Sequence, residues 1–218
     1  FGNFENKKDV RIKHLLTYTL DLDVPSLATL RDKMPDEITE TIMSAPLKNT
    51  PGVKMIYANS TALLTGLLVN RVSGKMLNIF AEEYCFKPLR MDRTTFYPAR
   101  FGKQEITPTE FSKWKERLMH GEVHDESTNT LQQKYILGIA GLFSTAPDLL
   151  NFLVMLLNNG EKASRKYFSP EMIFKMFVCQ TEQGGEKWGL GWALNQQHYM
   201  GSLCGESTFG KTGFTGCM

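Results

Sequence analysis

Along most of the chain apolar residues recur at intervals of three and four, and only near its end do they sit among closely spaced glycines. Segment 11–19, RIKHLLTYT, predicts a short helix. Between 26 and 44, Leu27, Leu30, Met34, Ile38 and Ile42 keep helical spacing. Pro35 is expected to interrupt that run, because proline has no N–H to donate and clashes with the preceding turn. The stretch NTPGVKMIYANS is turn-rich, punctuated by Pro51-Gly52. Residues 60–72, STALLTGLLVNRV, predict a buried helix, capped by Asn59 or Ser60 and followed by a closing Gly74. Another helix is expected over 76–85, stopping before Pro88.

From 92 to 137 the periodicity weakens into a polar, loop-rich excursion with one helix predicted near 109–119. Excursions of that length inside a compact domain are often binding loops or lids. The clearest element is STAPDLLNFLVMLLNNG. Thr145 and Asp148 have the spacing of a capping box, and Pro147 falls in the first turn. Leu149, Leu153, Leu156 and Leu157 are predicted to form one apolar face, ended by Gly160. Ser169-Pro170-Glu171 opens a further helix to about Phe177, and the last forty residues read as strands, in WGLGWAL and TFGKTGFTG. The fold class expected is α+β, with a helical region over about 11–178 and strands over about 188–217.

The 218 residues suffice for one large domain or two small ones with a substantial core, and 42% apolar with 22% charged residues describes an ordinary globular chain. A net charge of +2 with scattered lysines and arginines argues against nucleic acid. Cys85, Cys179, Cys204 and Cys217 have neither zinc-site spacing nor the density of a disulfide scaffold, so they are read as structural thiols. No apolar run reaches the roughly 18 residues that a membrane span needs. The chain opens at Phe1 and stops at Met218 directly after a strand-like segment, and it reads as an internal piece of a longer protein.

Candidate chemistry gathers at the end of the chain. GESTFGKT, from Gly205 to Thr212, fits the phosphate-cradling G-x-x-x-x-G-K-T, but that motif must lead directly into a helix. Here GFTGCM follows, with two glycines in six residues, so the match is read as chance. The same stretch contains Lys211-Thr212-Gly213, and Tyr57-Ala58-Asn59 lies at the mouth of a predicted helix. A phenol beside a lysine can pass a proton more readily than a free one, because positive charge favours phenolate. An asparagine nearby offers both a donor and an acceptor to a substrate amide. Ser112-Lys-Trp-Lys115 spells S-x-x-K but sits in the polar excursion with no long apolar helix to bury its lysine, and is read as coincidence. His120 and His124, in HGEVHD, lack the H-E-x-x-H spacing of a metal site and are expected to bond within a loop. His14 and His198 are isolated.

The stretches DVRIKHLLTYT, PGVKMIYANSTALLTGLLVNRVSGKML, FKPLRMDRTTFYP, GEVHDE, GIAGLFSTAPDLLNFLVMLLNNG, WGLGWAL and FGKTGFTG occur in an order that resembles the serine β-lactamase-like hydrolases of the class C type. That family includes class C β-lactamases, D-alanyl-D-alanine carboxypeptidases and penicillin-binding esterases. The resemblance implies a single β-lactamase/transpeptidase-like domain over 1–218, cut short at both ends, its helical region packed on an antiparallel sheet. It implies an acyl-enzyme mechanism without cofactor or metal, with Tyr57 as proton shuttle and Lys211 as the charge that sustains the site's field and attracts a substrate carboxylate. Asn59 would contact a substrate amide, Thr212 and Gly213 would lie along the substrate, and the Phe214 N–H would face an oxyanion. The serine and lysine of S-x-x-K are expected upstream of Tyr57, outside this sequence, so the chain as given should be inert. Two departures stand out: Tyr18-Thr19-Leu20-Asp21 where many relatives read HTSG, and Gly138-Ile139-Ala140-Gly141 where many read GHAG. The implied substrate is a β-lactam, a D-alanyl peptide or a small ester, and the implied location is periplasmic or extracellular. A non-catalytic derivative of the same fold is the rival reading.

Overall fold

Helix α1 (Ile12–Leu16) begins where His14 folds back on its own helix start: the Arg11 N–H donates to His14 Nδ1 at 3.1 Å. The computed structural model describes residues 7–181 and 186–218. Pro35 begins helix α2 (Pro35–Ser44) rather than breaking one, since at the first helical position its missing N–H costs no bond. Leu27–Leu30 before it form a separate 3-10 turn, so the periodic run is two elements sharing one buried face.

Helix α3 spans Asn59–Ser73. Its cap position is Ala58, without a side-chain bond, so neither Asn59 nor Ser60 caps it as expected; Asn59 is already the first helical residue. Gly74 closes α3 as expected, with φ of 68°. The next helix, α4 (Leu77–Ala81), widens into a π turn over Glu82–Phe86 instead of running regularly to 85.

The helix expected near 109–119 is a hairpin, β1 (Phe111–Ser112) against β2 (Arg117–Leu118). Glu116 takes a left-handed φ of 50°, and the Ser112 Oγ accepts the Lys115 N–H at 3.2 Å, which closes the turn. Two further bonds of 2.9 Å, between Thr109 and Met119 and between Met119 and Glu110, lengthen the ladder and seat Met119 in the interior. Helix α5 (Glu126–Leu131) follows, its start capped by Asp125, which accepts the Thr128 N–H at 2.8 Å.

Helix α6 (Ala146–Leu157) carries half of its expected capping box. Thr145 Oγ1 accepts the Asp148 N–H at 3.4 Å, but the Asp148 carboxylate turns away, accepting the Arg93 N–H and the Thr94 hydroxyl at 2.8 Å each. Met155 and Leu156 form the buried face; Leu157, expected there, is 65% exposed. Beyond the hairpin β3 (Glu161–Lys162) and β4 (Arg165–Lys166), Ser169 caps α7 (Pro170–Phe177) as expected. β5 (Ala193–Leu194) is followed by α8 (Gln197–Met200) and pairs antiparallel with β6 (Phe209–Gly210). β7 (Thr212–Gly213) pairs with β8 (Gly216–Cys217). The fold is α+β, with its described strands in separate two-stranded antiparallel ladders. Among the described residues no helix is long and apolar enough to cross a membrane.

Two apolar clusters carry the packing. One unites α1, α2, α3 and α5 through residues such as Leu15, Ile38, Ile42, Leu63 and Leu131. The other unites α6, α7 and β5 through Met155, Leu156, Ile173, Trp192 and Leu194. A third, smaller cluster of Tyr18, Trp188 and Ala193 brings the end of α1 to the strand region, where the Gly191 N–H also bonds the Leu16 carbonyl at 2.8 Å.

Candidate active site

The Pro51-Gly52 turn delivers Tyr57 to this third cluster. The Gly52 N–H bonds the Thr19 carbonyl at 2.9 Å and the Ile56 N–H bonds the Tyr18 carbonyl at 2.7 Å, so the segment before α3 lies along residues 18–19. Tyr57 then stands at the mouth of α3 with 54% of its surface open. Lys211 sits between β6 and β7, its backbone N–H and carbonyl both bonded to Met218, at 2.8 and 3.0 Å. This double bond steadies the short segment that carries the side chain.

The two residues meet. Lys211 Nζ donates to Tyr57 Oη at 3.1 Å across 154 positions of sequence, and to its neighbour's carbonyl, Thr212 O, at 2.7 Å. The ammonium lies 4.9 Å from the Tyr57 ring centroid, within cation–π range. A phenol oxygen held by a cation on one side and open to solvent on the other can exchange a proton with a third group.

Asn59, half-buried at the first turn of α3, makes no side-chain hydrogen bond among the described residues. It lies two residues from Tyr57 with its amide uncommitted. Thr212 and Gly213 form β7 and are exposed. Phe214 begins the two-residue turn between β7 and β8 and is not in an extended strand; its ring stacks on His124 at 4.7 Å and 10°. The structure therefore gathers Tyr57 and Lys211, with Thr212 directly bonded to the lysine, and sets Phe214 on the neighbouring loop.

Sequence reasoning missed the residues that frame the pair. The Tyr18 ring is buried and stacks on Tyr57 at 4.6 Å and 27°, with Trp188 against its edge at 4.9 Å. Burial first, and then the adjacent Tyr57 phenol, hold the Tyr18 hydroxyl protonated well above the ordinary phenol range. The local signal was only that Tyr18 departs from a common H-T-S-G; nothing near it in the sequence points to Tyr57 or Trp188. His124 Nε2 bonds Glu110 at 2.8 Å, as expected of a loop histidine, and its ring also stacks on Phe214, a contact that no local motif signals.

Two rival motifs take other shapes. Thr212 leads into a tight hairpin, so no helix N-terminus follows the glycines to hold a phosphate. In Ser112-x-x-Lys115 the serine accepts the lysine's backbone N–H, while the ammonium lies 4.0 Å above the Trp114 ring. His120 Nε2 contacts the Lys103 and Ile106 carbonyls at 2.8 and 2.7 Å, as expected of a loop histidine.

A family model described as "Beta-lactamase" matches residues 2–218. A "Putative D-alanyl-D-alanine carboxypeptidase" of Escherichia coli O157:H7 is 30% identical over 236 residues, covering 97% of this chain and 54% of that protein. An "N-acetylmuramyl-L-alanine amidase" of Bacillus subtilis strain 168 is 28% identical over 198 residues, covering 83% and 44%. The chain thus spans about half the length of the curated relatives it matches. The octameric penicillin-binding protein homologue from Pyrococcus abyssi has a TM-score of 0.65 at 22% identity, covering 92% of this chain and 45% of that one. This likeness shows the fold.

Proposed function

The chain belongs to the beta-lactamase family, and from that premise we propose that the whole protein is a serine hydrolase cleaving an amide or ester through an acyl-enzyme. The observation that carries the reading is the 3.1 Å contact between Lys211 Nζ and Tyr57 Oη, formed by two motifs distant in sequence. In the proposed cycle a serine from outside these 218 residues attacks the substrate carbonyl. Tyr57 acts as the phenolate, its own proton having first gone to solvent; the serine proton passes to that oxygen, and the tetrahedral intermediate forms with its oxyanion facing backbone donors, the Phe214 N–H among them. Tyr57 then returns the proton to the departing amine or alcohol. Water attacks the acyl-enzyme, giving its proton to Tyr57, and the acid leaves as the serine is reprotonated.

Lys211 contributes twice. Its charge stabilises Tyr57 in the phenolate form that accepts the serine proton, and its position beside exposed β7 suits a substrate carboxylate lying along Thr212 and Gly213. The uncommitted amide of Asn59 suits a substrate amide. The curated relatives are named as a D-alanyl-D-alanine carboxypeptidase and an N-acetylmuramyl-L-alanine amidase, which supports a D-alanyl peptide as substrate; a β-lactam or a small ester would suit the same acyl-enzyme chemistry.

The test compares the whole protein with its Lys211→Ala variant on nitrocefin, which bears a carboxylate, and on a neutral short-chain ester. Lys211→Ala should lower kcat/KM on nitrocefin at least tenfold more than on the ester. Equal losses on both would remove the carboxylate role. Mass spectrometry after labelling with a fluorescent penicillin or a fluorophosphonate should find a single modified serine, and an unlabelled whole protein would leave a non-catalytic derivative of the fold.

A further inference from the structure

We infer that Tyr18 is a positioning residue for the Tyr57–Lys211 pair: its buried ring fixes the plane of the Tyr57 ring, so that the phenol oxygen meets the ammonium and still faces the open side. This rests on the proposed reading of Tyr57 as the proton shuttle and adds a residue to it.

Three independent observations converge on Tyr18. Its backbone takes a φ of 54°, a region that bulky side chains seldom occupy and that persists where surrounding contacts over-determine it. Two of those contacts lead to the site. The Tyr18 carbonyl accepts the Ile56 N–H at 2.7 Å, which locates the backbone immediately before Tyr57. The ring itself is 8% exposed and lies between Tyr57, stacked at 4.6 Å, and Trp188, edge-on at 4.9 Å. One residue therefore fixes the shuttle's main chain through its carbonyl and the shuttle's ring through its own.

Tyr57 needs such a support. More than half of its surface is open, and the aromatic and cationic partners of its ring are Tyr18, Trp188 at a tilted 6.4 Å, and Lys211. Without a flat neighbour the ring would be free to turn about its side-chain bonds, and the 3.1 Å contact with Lys211 would be one rotamer among several. The Tyr18 ring also lies 6.0 Å from the Lys211 ammonium, so both partners touch the same aromatic wall. Preorganising a reacting group lowers the barrier because its orientation is set before substrate arrives.

The experiment has two arms. In the whole protein, Tyr18→Phe keeps the ring and should leave kcat within threefold of wild type, whereas Tyr18→Leu should lower kcat at least thirtyfold with KM within threefold. Tyr18→Asn, whose side chain tolerates the left-handed backbone, should match the leucine variant. In the second arm, NMR of ring-labelled tyrosine follows Tyr57 directly: its cross-peaks to the Lys211 side chain should persist in Tyr18→Phe and vanish in the leucine and asparagine variants. Full kcat in either non-aromatic variant overturns the inference, as does unfolding of both, since the ring would then serve the fold. If wild type shows no acyl-enzyme or hydrolysis, the serine-hydrolase reading fails, while the NMR arm still decides whether Tyr18 holds Tyr57.

Discussion

At Asp148 a side chain with the spacing of a helix cap joins two segments instead, accepting bonds from Arg93 and Thr94 some fifty residues upstream. His14 does the opposite: an isolated histidine in sequence, it caps its own short helix by accepting the Arg11 N–H on Nδ1. That bond requires neutral imidazole, because a proton on Nδ1 would remove the acceptor. Burial first, then the Lys13 and Arg11 charges, hold the His14 pKa in the folded protein below its ordinary value of 6.5. The unfolded chain therefore binds the extra proton more readily, so this contribution is complete above about pH 6.5 and is lost as the pH falls from there through the lower folded value. The urea midpoint should fall between pH 7.5 and 5.5, and His14→Gln should flatten the slope. An unchanged slope in the variant would show that other groups control the response.

At the scale of elements, α3 and the segment Leu137–Gly138 approach each other closely through glycine. A Cβ built on Gly66 would lie 2.9 Å from the Gly138 nitrogen and 3.0 Å from the Leu137 Cα, so backbone would have to move to admit it. Gly66→Ala should thus destabilise by about 1–3 kcal/mol, despite the roughly 1 kcal/mol that alanine gains over glycine as a helix former. Denaturant midpoints at constant m-value would check this, and a stabilised variant would show that the two segments separate easily.

Helices α6 and α7 were legible because their signals are local: a Thr or Ser cap, a proline in the first turn and an unbroken apolar period. The hairpin at 111–118 was not. Phe111, Trp114 and Leu118 imitate helical spacing, and the left-handed turn residue is Glu116, which carries no glycine signal. α5 escaped because its ESTNTL is nearly all polar, although Ser127, Thr128 and Thr130 are buried. Y-x-N and K-T-G were legible as motifs at the site, whereas the Tyr18 stack and the His124–Phe214 stack exist only once distant segments have docked.

Across the whole molecule, apolar surface is unevenly covered. Leu150, Val154 and Leu157 recur at helical spacing along one side of α6 and remain 57%, 42% and 65% exposed, and Phe174 on α7 is 70% exposed. Runs of this kind on a soluble surface favour association. Replacing Leu150 and Leu157 together by Glu and Lys should reduce dye binding and self-association of the 218-residue chain. The unfolding free energy should change by no more than about 0.5 kcal/mol per site. A loss of several kcal/mol would mean that the two leucines are packed in solution.

The 154-residue separation of Tyr57 and Lys211 also orders events in time. A ribosome adding about 5–20 residues per second would release the tyrosine roughly 8–30 seconds before its lysine. Throughout that interval the nascent polypeptide holds a phenol with no ammonium beside it. On the proposed reading, the Tyr57–Lys211 pair would be assembled only once the lysine has emerged, so any hydrolytic activity would stay silent until then.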